Sequence, residues 1–191
     1  NRRDFIKTSA LALSTISVAG LSVSCIGKQK RDTKNVFKYA LCNEGLKEFS
    51  WPEQCEIIGN AGYKGVEIAS FTLVEKGVEE ISPSERRQMV QDMNNAGIEC
   101  AGLHWLLAPP PKGLYFNTPD NKVRQRSVNY LHKLIDFCGD LDGEVLVFGS
   151  PNQRSTTQGI TVQEAVDYFT DGLAQVADHA QKRNVKILIE P

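Results

Sequence analysis

A chain of 191 residues that is 41% hydrophobic and 24% charged has ordinary globular composition and enough length to bury a sizeable core. Its 22 basic and 23 acidic residues nearly cancel, and no basic cluster stands in the body of the sequence, so no nucleic-acid groove is expected. The length also falls short of the roughly 250 residues of a closed (β/α)8 barrel.

The opening stretch, "NRRDFIKTSALALSTISVAGLSVSC", reads apart from the rest. Arg2, Arg3 and Lys7 precede an uncharged run from Thr8 to Gly27, with small residues ahead of Cys25. A charged start, a mildly apolar middle and small residues make an export signal over residues 1–25. The run resembles a twin-arginine signal, which implies the twin-arginine export machinery as a partner and a periplasmic location. Seven Ser and Thr residues dilute the apolar run, which suits a signal better than a stable anchor. "LSVSC" loosely resembles a lipobox, so lipidation of Cys25 stands as an open alternative; the membrane is met only through the signal or that lipid. Residues 26–36, "IGKQKRDTKNV", form a charged linker.

From residue 37 onward short apolar runs alternate with amphipathic stretches. "FKYALCN" (37–43) is the first strand. Ser50 caps a helix with Pro52 in its first turn, where a missing N–H costs nothing. "GVEIA" (65–69) is the second strand, and Ser82 or Ser84 caps a helix closing at Asn95-Ala96-Gly97. "IECAGLH" (98–104) is the third strand, followed by a long loop. A third helix runs from about Lys122 to Cys138, with Val128, Leu131, Leu134, Ile135 and Cys138 on one stripe. "EVLVFG" (144–149) is the fourth strand, and "SPNQRSTTQG" is read as its loop. The fourth helix begins after Thr161, with Val162, Ala165, Val166, Phe169, Leu173, Val176, Ala177 and Ala180 at helical spacing. "VKILIE" (185–190) is the fifth strand. Cys42, Cys55, Cys100 and Cys138 show no zinc spacing and read as small core residues without disulfides.

Five strands interleaved with four helices imply parallel β/α units with right-handed crossovers. The first strand lacks a G-x-G-x-x-G turn, against an open dinucleotide-binding sheet. The long loops after strands three and four fall on the C-terminal face, where barrel enzymes keep their chemistry. The expected fold is therefore an α/β TIM (β/α)8 barrel, of which residues 37–191 supply about the first five strands and four helices.

The strand tips hold the candidate site residues. Glu190 ends strand five, and Pro191 pushes it to extended geometry; it is either a catalytic acid or a polar residue at a sheet rim. His104 ends strand three and is either a satisfied core histidine or a substrate hydrogen-bonder. Glu67 lies within strand two, and a carboxylate buried there must be functional or tied to a lysine or arginine. Arg154 stands in the loop after strand four, either gripping an anionic group bidentately or simply exposed. Trp105 and Phe116 suit an apolar wall at the barrel mouth or plain core packing. His132 and His179 read as solvated helix residues.

"GYKGVEIAS", "AGLHWLLAPP", "LVFGSPNQR" and "LIEP" together, in this order and spacing, resemble the xylose isomerase-like TIM barrels, the group of sugar and sugar-phosphate isomerases and epimerases. The resemblance implies that Glu190 binds a divalent metal ion, Mn2+ or Mg2+ first and Co2+ or Zn2+ next, and also acts as an acid/base. It implies a small-molecule carbohydrate substrate, for which His104, Trp105, Arg154 and Glu67 are the candidate binding residues. The implied reaction moves a proton between adjacent carbons through an enediolate. The family completes its metal site with an Asp, a His and a second Glu from strands six to eight, so the chain is expected to be the N-terminal part of a longer protein or a truncated gene product, inactive alone. Phe148-Gly149-Ser150 at strand four offers no histidine, against a three-zinc endonuclease site. A non-catalytic periplasmic carbohydrate-binding barrel is the alternative.

Overall fold

The computed structural model describes residues 37–156 and 159–190; the expected signal, the linker and Pro191 lie outside them. In chain order the strands are β1 (Ala40–Cys42), β2 (Gly65–Ala69), β3 (Glu99–His104), β4 (Val145–Phe148) and β5 (Lys186–Ile189). The helices are α1 (Trp51–Asn60), α2 (Pro83–Asn95), α3 (Asn121–Asp140), the short α4 (Pro151–Arg154) and α5 (Val162–Lys182). The sequence placed the residues of α4 in a loop. Pro151 begins this extra turn where its missing N–H is harmless.

All five strands are parallel and lie in the order β1-β2-β3-β4-β5. A doubly wound sheet reverses its strand order at a switch point, whereas sequential order with crossovers of one hand keeps every helix on one face. Consecutive helices accordingly touch, α1 with α2, α2 with α3 and α3 with α5. This is a TIM-barrel-like wall of five strands.

Helix starts follow the sequence closely. The Glu53 carboxylate accepts from the Ser50 N–H and hydroxyl, at 2.9 and 2.6 Å. Ser82, rather than Ser84, caps α2: the Glu85 carboxylate accepts from its N–H at 2.7 Å. Asp120 accepts from the Lys122 N–H at 2.8 Å, and Thr161 with Glu164 forms the same reciprocal box on α5.

The core lies between sheet and helices. Val66, Ile68, Leu103, Leu146 and Phe148 point from the strands into it and are fully buried against Ile58, Met93, Leu131, Leu134 and Val176. Phe116 belongs here too: it packs edge-on against Phe148 at 5.6 Å and Phe169 at 5.8 Å, so it is core and no sugar platform. On α5 the buried stripe is narrower than expected, because Val162 and Val166 are exposed while Ala165, Val176 and Ala180 are covered.

The histidines of α3 and α5, expected to be solvated, are partly buried and meet one another. His132 meets His179 ring to ring at 4.9 Å, and His179 Nε2 lies 2.8 Å from Asp136. Arg183 joins the same network through Asp136 and Asp140, and Asp140 accepts from Arg86 at 2.8 Å. Burial and the His179 neighbour hold the His132 ring below its ordinary pKa. No helix among the described residues is long and apolar enough to cross a membrane.

Candidate functional site

One irregularity sets up the site. Val66 pairs with Cys100, but Glu67 pairs with Gly102, leaving Ala101 as an extra residue in β3. A one-residue bulge reverses which face the following side chains occupy. Without it His104 would point into the helical layer; with it Leu103 enters the core and His104 shares the inner face with Glu67. Gly102 permits the distortion, because its φ is 141° and a Cβ there would strike the Val145 carbonyl.

The inner-face side chains at the C-terminal rim converge. Cys42 stands opposite Glu67 in the ladder, and His104 stands opposite Ala69. His104 Nδ1 lies 3.1 Å from Glu67 Oε2, and His104 Nε2 lies 3.5 Å from Glu190 Oε2. The imidazole thus sits between two carboxylates. The sequence expected Glu67 to be tied to a lysine or arginine if not functional; its partner is a histidine. Cys42 was read as a core residue and instead faces the site, where burial, with Glu44 and Glu67 nearby, pushes its thiol above the ordinary range. All four described cysteines are free thiols.

Clearance for Glu190 comes from Gly149. A Cβ on that glycine would overlap Glu190 Oε2 and stand 3.6 Å from His104 Nε2. The Glu190 side chain is 51% exposed, so its carboxylate is presented to an open face. Arg154 fastens the rim behind it. Its Nε donates to the Gly149 carbonyl, and a terminal nitrogen donates to the Glu190 carbonyl at 2.8 Å. Its guanidinium carbon lies 5.9 Å over the Phe169 ring. The exposed-loop reading of Arg154 is therefore replaced by a clamp across the tips of β4 and β5.

Trp105 begins the loop after β3 and stacks on His104, with centroids 5.7 Å apart and planes 20° from parallel. It meets Phe71 edge-on at 6.5 Å and is 36% exposed, so a flat apolar face borders the histidine. Both rim loops start in strained left-handed backbone, Trp105 at φ 55° and Ser150 at φ 44°. The Ser150 hydroxyl accepts from the Leu107 N–H at 3.3 Å, joining the two loops.

Sequence reasoning missed Asn43. It is fully buried just past β1, and its Oδ1 accepts from the Ala69 N–H at 2.7 Å. Its amide nitrogen donates to Gln54 at 3.0 Å and to Thr72 at 2.9 Å. These bonds lock the β1 and β2 tips, and with them Cys42 and Glu67. The available signal was "CNEG", a polar residue directly after a strand.

Two cavities of about 440 and 470 Å3 lie elsewhere, one beside Met93 and Val145 and one between α5 and β5. Neither is lined by Glu67, His104 or Glu190. The site is an open sheet face.

A family model described as xylose isomerase-like TIM barrel matches residues 55–191. No curated protein is significantly similar in sequence. Among solved structures, D-psicose 3-epimerase in the presence of D-fructose superposes with a TM-score of 0.66 at 14% identity, covering 80% of this chain and 52% of that one. D-psicose 3-epimerase with D-tagatose from Clostridium cellulolyticum H10 gives 0.63 at 16% identity, covering 79% and 51%. A 3-keto-D-glucoside 4-epimerase from E. coli gives 0.63 at 12% identity, covering 82% and 56%. The chain spans about half the length of these structures. At such identities they share its fold.

Proposed function

Because the chain belongs to the xylose isomerase-like TIM barrel family, we propose that the whole protein is an exported, metal-dependent sugar isomerase or epimerase. The observation that carries this reading is the placement of Glu190 on the inner rim, cleared by Gly149 and 3.5 Å from His104 Nε2. The sugar epimerases among its structural neighbours support the reaction class.

Glu190 is the acid/base. Its carboxylate removes a proton from a carbon next to a carbonyl, giving an enediolate, and a second acid returns the proton. Trp105 offers its face to the apolar side of the sugar, while His104 and Glu67 bind hydroxyl groups from the rim. Arg154 positions Glu190 through its carbonyl and completes the polar edge.

A divalent cation fits here, since Glu190 presents an open carboxylate oxygen at the inner rim, cleared by Gly149. Glu190 would hold it, together with the Asp, His and Glu implied on strands six to eight. Bound there, Mn2+ or Mg2+ polarises the substrate oxygens and acidifies the neighbouring C–H. Residues 1–25 serve as a twin-arginine signal and 26–36 as a linker, delivering a folded enzyme to the periplasm, with Cys25 available for lipid attachment.

Solvent-deuterium incorporation into free ketoses, followed by NMR on the full-length protein, tests the reading. Glu190→Gln is expected to cut exchange by roughly 10^2–10^4-fold. Near-wild-type exchange would remove Glu190 from its role, and sugar binding without any exchange in the wild type would turn the protein into a carbohydrate-binding barrel.

A further inference from the structure

On the side of His104 away from Glu190, three adjacent strands bring a thiol, a carboxylate and an imidazole together. Cys42, Glu67 and His104 each offer one ligand atom, all within 4.8 Å of one another. The placement is built into the backbone. Cys42 and Glu67 are ladder partners, the β3 bulge turns His104 onto their face, and Asn43 bonds the β1 tip to Ala69. All three side chains are half-buried, which leaves one approach open.

We propose that Cys42, Glu67 and His104 form a second cation site, distinct from Glu190, for a borderline divalent ion of the zinc class. Ligands held about 2.0–2.3 Å from a tetrahedral ion lie roughly 3.3–3.7 Å apart, so the cluster closes onto an ion by shifts of about 1 Å. The thiolate decides the class of metal: Mg2+ and Ca2+ prefer oxygen alone, whereas sulfur with imidazole and carboxylate suits Zn2+. As the metal–sulfur bond forms, the thiol proton leaves to solvent. Three protein ligands leave a fourth position for water or a substrate oxygen, the pattern of reactive rather than structural zinc. This site does not depend on the role proposed for Glu190; with the ion bound, Glu67 and His104 meet a substrate hydroxyl through the ion's fourth position instead of directly.

Cobalt is the probe. Titrating the reduced protein with Co2+ is expected to give a thiolate-to-cobalt charge-transfer band whose final intensity corresponds to one thiolate-bound cobalt per chain. Cys42→Ser abolishes the band. Glu67→Ala and His104→Ala weaken binding by roughly a hundredfold, at or beyond the 10–100-fold that losing an outer partner costs a metal site. Glu190→Gln leaves the band in place, so this outcome separates the cluster from the catalytic reading. X-ray absorption of the zinc-loaded wild type needs no variant: one sulfur at about 2.3 Å beside nitrogen and oxygen at about 2.0–2.1 Å is expected. A folded wild type without the band, a band that survives Cys42→Ser, or a sulfur-free zinc shell overturns the site.

Discussion

Replacing Asn43 with alanine tests whether one buried amide holds the rim together. The substitution removes three hydrogen bonds, to Gln54, Thr72 and the Ala69 N–H, from a side chain with no solvent exposure. Each is worth about 1 kcal/mol net, and a buried group left without a partner costs about 1–3 kcal/mol. The Ala69 N–H and the Gln54 carbonyl oxygen are both orphaned and the Thr72 bond is lost with them, so the expected loss is about 3–7 kcal/mol. Against a typical stability of about 5–15 kcal/mol this is severe. Urea unfolding followed by far-ultraviolet circular dichroism measures it: at a slope of about 2 kcal/mol/M, the midpoint falls by roughly 1.5–3.5 M. Cobalt affinity should fall as well, because Ala69 lies opposite His104 and two residues from Glu67. A midpoint shift under about 0.5 M with an unchanged slope would mean that water or a rearranged Gln54 satisfies those groups and that Asn43 does not hold the rim.

Two further outcomes follow from the packing and the caps. Gly172→Ala gains helix propensity of about 1 kcal/mol, but the new methyl overlaps the buried Phe116 ring, and such overpacking costs about 1–3 kcal/mol. A net loss is expected in thermal unfolding; a rise in Tm would show that the ring yields. The capping carboxylates Glu53, Glu85 and Glu164 are held below their ordinary range by hydrogen bonds from Ser50, Ser82 and Thr161. Their contribution is complete above the unfolded glutamate pKa of about 4.3 and is lost as pH falls through the lower folded values. The urea midpoint should therefore drop between about pH 5 and 3, and the triple alanine variant should flatten that drop. An unchanged profile in the variant would remove these caps from acid sensitivity.

The elements and their order are legible along the chain. Helix starts are legible because a capping box is a local arrangement of three or four residues. Strand–helix alternation dictates parallel pairing, because only a crossover can return a chain to a parallel neighbour. The sequence also brought Glu190, His104 and Glu67 forward, as polar residues ending or interrupting apolar runs. What it could not decide was which face each side chain takes. Period-2 alternation through "IECAGLH" puts Leu103 on the face of Ala101, and only the bulge opposite Val66 and Glu67 turns Leu103 to the helical side and His104 to the inner face. The same holds for Cys42, Gly149, Arg154 and Asn43. Their partners are Glu67, Glu190, the Gly149 carbonyl and Ala69, set by register between strands or by loop folding, and a one-residue slip would exchange the faces. Chemistry at this rim is thus written in residue types along the chain, but its assembly is decided by strand register, a property of pairs of segments that no single segment contains.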